Sequence, residues 1–150
     1  MKKTFILMVL AILCSAWKIS AQDTDTRIPE LYEGSIDDKL PITLYLVAIP
    51  GNCGGEPYYQ AIYRYDKKGP DQWLLLEVRH NRSGRYALVE ERFSGLMILQ
   101  KNDNGFSGTW IHPNGVIRKK VVLRNKHLPK TDVKKYENYL DAAQRETDDC

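Results

Sequence analysis

The chain has only three histidines and three cysteines, scattered over its whole length. His80, His112 and His127 stand at no metal-ligand spacing, and no His-Glu-x-x-His helix, phosphate-binding loop or nucleophile elbow occurs. The signatures of zinc peptidases, nucleotide-binding enzymes and serine hydrolases are therefore missing, and no cofactor is implied. No linker rich in glycine and serine interrupts the chain, so it suits one domain with one core. Long apolar runs are lacking too: Phe5 to Cys14 is short for a bilayer span and soon gives way to polar sequence.

That short run has another use. Lys2 and Lys3 precede it and Ser20-Ala21 closes the segment, the pattern of a secretory signal cleaved after Ala21. An uncleaved anchor is one rival. A lipid on Cys14 is another, although Leu13 before it is bulky for such a site. Cleavage removes Lys2, Lys3 and Lys18 and no acid, so the formal charge of +3 becomes zero. The overall balance then favours no polyanion, and nucleic acid is not an expected partner. The expected location is the periplasm or the cell exterior, without a transmembrane segment once the signal has gone.

Cys53 and Cys150 remain in the mature chain. An oxidising compartment permits a disulfide between them, and two free thiols are the alternative. Closing so long a loop would stabilise by roughly 4 to 5 kcal/mol in the chain-entropy model.

The mature chain divides into a flexible lead-in at 22–30, a strand-rich body at 31–124 and a helix with its tail at 125–150. Alternation marks eight strands in the body. In "ITLYLVAI", Ile42, Leu44 and Leu46 face one way while Tyr45 and Val47 face the other, so both sides are apolar. "YYQAIYRY" puts Tyr59, Ala61, Tyr63 and Tyr65 in one register. "PGNCGGEP", "DKKGPD", "NRSG" and "KNDNG" read as turns or loops. From Thr131 the period changes: Val133, Tyr136, Leu140 and Ala143 form one helical stripe, with Thr131 as a cap and Asp132 in the first turn. Short hairpin loops favour an up-and-down path, and closure removes exposed edges. The expected fold is all-β, a small antiparallel eight-stranded up-and-down barrel with one C-terminal helix packed outside.

A spacing of two recurs in Tyr32-x-Gly34-x-Ile36, Phe93-x-Gly95-x-Met97 and Phe106-x-Gly108-x-Trp110. Each triplet faces one way on a strand. A glycine between large residues lets the strand bend or lets a neighbouring ring lie over the backbone. Lining of a ligand cavity is the functional alternative.

"YEGSIDDKLPITLYL", "FSGTWIHPNG" and the tyrosine-rich strand between them resemble small exported proteins of Bacteroides-type bacteria with lipocalin- or avidin-like barrels. The likeness covers about residues 30 to 124 and implies fold and compartment. Gly108 and Trp110 resemble the Gly-x-Trp element of those barrels. The first strand carries Gly34 and Ile36 without a tryptophan, so biotin binding is not implied.

Four groups could carry chemistry. Cys53 within "GNCGG" has backbone room for a nucleophile, but a structural bridge is its simpler fate. Glu77 and the pair Glu90-Glu91 are the carboxylates for a glycosidase-like role, with surface ion pairs as the plainer use. Glu77 is expected to pair with a neighbouring strand. The basic run Arg118 to Lys135 could meet an acidic surface, and a solvated outer face explains it equally. Tyr58, Tyr59, Tyr63, Tyr65 and Trp73, with Trp110, could stack on a sugar or anchor a protein, and strand propensity explains much of their number.

The expected function is therefore a noncatalytic exported binding module. It would recognise a protein, a glycan or a small ligand through loops or aromatic surface. A periplasmic inhibitor or immunity protein is the alternative, engaging through "PGNCGGEPYY". A hydrolase using Glu, His or Cys side chains ranks below both.

Overall fold

Eight strands close on themselves in chain order. They are β1 (Ile28–Ile36), β2 (Leu40–Ile49), β3 (Tyr58–Tyr65), β4 (Leu74–His80), β5 (Arg85–Glu90), β6 (Leu96–Asn102), β7 (Gly105–Ile111) and β8 (Arg118–Lys126). Each pairs antiparallel with the next, and β8 returns to β1 to complete an up-and-down barrel. A computed structural model describes residues 27–51 and 54–148. The proposed signal, Cys53 and Cys150 lie outside the described residues.

Side-chain period fixes which face of each strand turns inward. Tyr32 and Ile36 point into the barrel from β1, Ile42, Leu44 and Leu46 from β2, and Ala61 and Tyr63 from β3, all buried. Leu76, Tyr86, Leu88, Met97, Leu99, Phe106, Trp110, Val121 and Leu123 complete that core. An eight-stranded barrel is just wide enough for its own side chains to fill it. One end holds the β2–β3, β4–β5 and β6–β7 connections and is called the His80 end. The other, the Trp110 end, holds the remaining four.

The second apolar face of β2 has a cause. A C-terminal helix, α1 (Lys130–Asp148), lies outside the wall, and Tyr45 and Val47 pack beneath it with Leu31, Ile62 and Trp73. Leu140 from the helix stripe is 0% exposed there. Such burial stabilises by roughly 1.5–3 kcal/mol. The Tyr45 hydroxyl donates to Glu137 at 2.6 Å and its ring stacks on Tyr136 at 5.2 Å. Arg27 adds an ion pair to the same Glu137 at 2.9 Å.

Several expectations need correction. β1 begins at Ile28, inside the predicted lead-in, because Ile28, Pro29 and Glu30 pair with Ala48, Val47 and Leu46. The helix starts one residue before Thr131, so that residue sits inside the first turn instead of capping it. Phe93 does not share a strand face with Met97. It occupies the turn before β6 with a φ of 55° and is 55% exposed.

Candidate functional site

The six aromatic residues singled out in the sequence separate into four places. Tyr63, Tyr65 and Trp110 meet inside the Trp110 end. Tyr59 lies inside the His80 end, while Tyr58 stands on the outer wall of the same strand. Trp73 is buried under α1, stacked on Tyr139 at 5.3 Å with Arg64 over its ring at 5.0 Å. One cluster in the sequence is not one site in space.

The Trp110 end is organised by Glu90. Period two places this carboxyl on the inner face of β5 after Tyr86 and Leu88, and it is only 4% exposed. One carboxyl oxygen accepts the Tyr63 hydroxyl at 2.5 Å and the Trp110 indole N–H at 2.8 Å. The other accepts the Ser94 hydroxyl at 2.8 Å. Every partner donates, as an acceptor-only carboxylate requires. The Tyr63 and Tyr65 hydroxyls lie 2.9 Å apart. Tyr63 has one proton and gives it to Glu90, so Tyr65 donates to Tyr63. Burial, then the bond to Glu90, pushes the Tyr63 phenol well above its ordinary value.

Gly95 makes that arrangement fit. A Cβ there would collide with the Glu90 carboxyl and the Trp110 indole nitrogen. Gly34 and Gly108 act differently: a Cβ on either would run into the facing strand's backbone at Val122–Leu123 or Ile98–Leu99. The first glycine admits a ring, and the other two admit neighbouring strands.

At the His80 end the rings form a chain. Tyr59 meets His80 at 4.7 Å and Tyr86 at 5.3 Å. Tyr86 meets Phe106 at 5.1 Å, which meets Tyr32 at 4.9 Å. Lys101 crosses to Glu30 at 2.9 Å. Burial raises the Tyr32 and Tyr86 phenols, with Glu30 and Tyr59 respectively adding to it.

The wall is loosened beside this chain. β3 and β4 pair only at Ala61↔Leu76, Ile62↔Leu75 and Tyr63↔Leu74. Continuing that register would set Gln60 against Glu77, Tyr59 against Val78 and Tyr58 against Arg79, and those rungs do not form. A cleft of about 520 Å³ opens there, lined by these residues, His80 and Gln144 of α1. Its rims are held in place. His80 Nε2 lies 2.9 Å from the Pro57 carbonyl, and Arg27 donates to Gln60 at 3.2 Å. Arg79 donates to Glu77 at 2.7 Å. The pair expected across strands therefore forms along β4, because both side chains point outward two residues apart. Arg82 binds Glu56 and holds that carboxyl below its usual range.

Among the described residues no three His, Cys, Asp or Glu side chains gather in a way that could hold a metal ion. No helix among them is long and apolar enough to cross a membrane. Sequence reasoning named Tyr58 and Tyr59 of the cleft but missed Gln60, Arg79 and Gln144. Only the three-dimensional register brings those residues together. Comparison of the chain with protein-family models, with curated proteins and with solved structures finds no match.

Proposed function

We propose that this protein is a noncatalytic exported binding module that takes a glycan in the cleft between β3 and β4. The cleft itself is the observation that carries this reading. Tyr58 and Tyr59, which face opposite sides of β3, line it together with Gln60, Glu77, Arg79 and Gln144 on three elements. Aromatic faces cover the apolar side of a sugar, and planar amide, carboxylate and guanidinium groups match its hydroxyls. A volume of about 520 Å³ falls within the usual range for small-molecule sites. Tyr58, 55% exposed, is already presented to solvent.

The carboxylates support a role without chemistry. Glu90 is enclosed and engaged by three donors, so it offers no approach to a substrate. Glu77 is committed to Arg79 on the outer wall. Export belongs to the same reading, through the Met1–Ala21 signal and the Cys53–Cys150 bridge. The mass of secreted protein, with and without reductant, checks both points. A retained leader or two free thiols would remove them.

Fluorescently labelled mature protein on an array of bacterial and host surface glycans tests the binding. Wild type should retain a defined subset, and Tyr58→Ala and Gln144→Ala should each weaken it about tenfold. No retention by wild type, or retention unchanged in both variants, would sink the proposal.

A further inference from the structure

The basic run Arg118 to Lys135 is not one surface. Arg124, Lys126 and Lys130 lie toward the His80 end, and Lys126 is paired with Glu33 at 3.0 Å. Arg118, Lys119 and Lys120 open β8 at the Trp110 end, and none of them forms an ion pair among the described residues. The two residues just before them, Val116 and Ile117, are 80% and 45% exposed. Val116 is the most exposed large apolar side chain among the described residues.

Other residues make the turn between β7 and β8. Gly115 takes the left-handed conformation, with a φ of 72°, and its N–H donates to the His112 carbonyl at 2.8 Å. Asn114 Oδ1 accepts the N–H groups of Val116 and Ile117 at 3.0 and 3.3 Å. His112 N–H donates to the Ile117 carbonyl at 2.9 Å. The tip is thus a fixed platform, and its two apolar side chains belong to neither core cluster. A scattered exposed apolar residue is ordinary. Here Leu96 pairs with Ile111, which sets the β5–β6 turn beside this hairpin, and Phe93 on that turn is 55% exposed. Three of the five large exposed apolar side chains among the described residues therefore share one end of the barrel. Charge there has a sign. Asp66 is taken up by Thr43 and Arg64, and Glu91 by Arg92. Asp37, Asp38 and Asp71 remain, against Lys39, Lys67, Lys68 and the three cations of β8.

We propose that the Trp110 end docks on an anionic phospholipid bilayer. Val116, Ile117 and Phe93 enter the boundary between headgroups and acyl chains, while Arg118 and Lys120 meet lipid phosphates. Apolar tips on separate turns suit a bilayer, which takes up projecting side chains without a matching pocket. The excess of cations around them selects lipid of negative charge. The β3–β4 cleft opens toward the other end of the barrel, so docking leaves it clear of the lipid and does not depend on the glycan reading.

Co-sedimentation of the full mature chain with lipid vesicles reads the docking. Wild type should pellet with phosphatidylcholine vesicles that contain phosphatidylglycerol and stay in solution with phosphatidylcholine alone. Added salt should release it. Arg118→Glu with Lys120→Glu, and separately Val116→Ser with Ile117→Ser, should each weaken binding about tenfold or more, with melting temperature retained. Arg124→Glu with Lys130→Glu changes as much charge at the other end of the same run, and should bind within about twofold of wild type. Val116→Trp puts a reporter on the tip, and its emission should move to the blue on the anionic vesicles alone. Wild type that fails to pellet with those vesicles would overturn the proposal. So would equal losses from the two charge pairs, binding unchanged by the serine pair, or a tip tryptophan that keeps its aqueous emission in the pelleted protein.

Discussion

The indole N–H of Trp110 donates to the Glu90 carboxyl at 2.8 Å across the barrel interior, directly over Gly95. That contact joins β5 to β7 at one point and leaves no room for a side chain on Gly95, the residue before β6. Gly95→Ala should therefore overpack the site and lower stability by about 1–3 kcal/mol. Urea unfolding followed by tryptophan fluorescence measures it. A midpoint equal to wild type would show that the indole and carboxyl yield freely.

Removing the carboxyl should cost more than crowding it. Glu90→Ala leaves the Tyr63 hydroxyl and the Trp110 N–H buried without their acceptor. Each such orphan costs about 1–3 kcal/mol. Glu90→Gln keeps one oxygen for these donors and should lose visibly less. Equal losses in the two variants would mean that the network contributes shape alone.

Alkaline pH should unfold the protein through its tyrosines. Tyr32, Tyr63 and Tyr86 all have phenols raised by burial above the ordinary value. A raised phenol binds its proton more tightly in the folded state, so its contribution is complete below about pH 10, the unfolded value, and is lost as pH climbs beyond it. The urea midpoint should hold level up to that point and then fall, with phenolate absorbance rising as unfolding proceeds. Free ionisation of all nine tyrosines in the folded protein would contradict the interior placement.

The outer helix should behave as part of the core. Leu140→Ala empties a fully buried position between α1 and the wall, and should cost about 2–5 kcal/mol. Tyr45→Phe removes one hydroxyl bond to Glu137 and should cost about 1 kcal/mol. Thermal unfolding by circular dichroism compares the two. A Leu140→Ala protein as stable as wild type would leave the helix as a loose attachment.

Much of this architecture was legible in the chain. The register Tyr59-Ala61-Tyr63-Tyr65 needs only a period of two, and the barrel respects it, with Ala61 and Tyr63 fully enclosed. The helical stripe ending in Leu140 and Ala143 also explains why Tyr45 and Val47 are apolar on the outside of β2. The use of glycine to admit a ring holds at Gly95, although Phe93 beside it faces water. Glu90 carried a signal that a reading by charge alone overlooks: it follows Tyr86 and Leu88 at a spacing of two, which puts it inside. The cleft had no such signal. Whether β3 and β4 stay zipped beyond Ala61 depends on barrel twist and on the loop before Pro57, and local sequence specifies neither.

Residue-resolved amide shifts of the isotope-labelled mature protein, titrated with oligosaccharides retained from the array, test glycan binding most directly. The expected result is a set of shifts confined to Tyr58–Gln60, Glu77–His80 and Gln144, lost in Tyr58→Ala. Shifts centred elsewhere on the barrel, or none with any oligosaccharide, would contradict a sugar site at the unzipped seam.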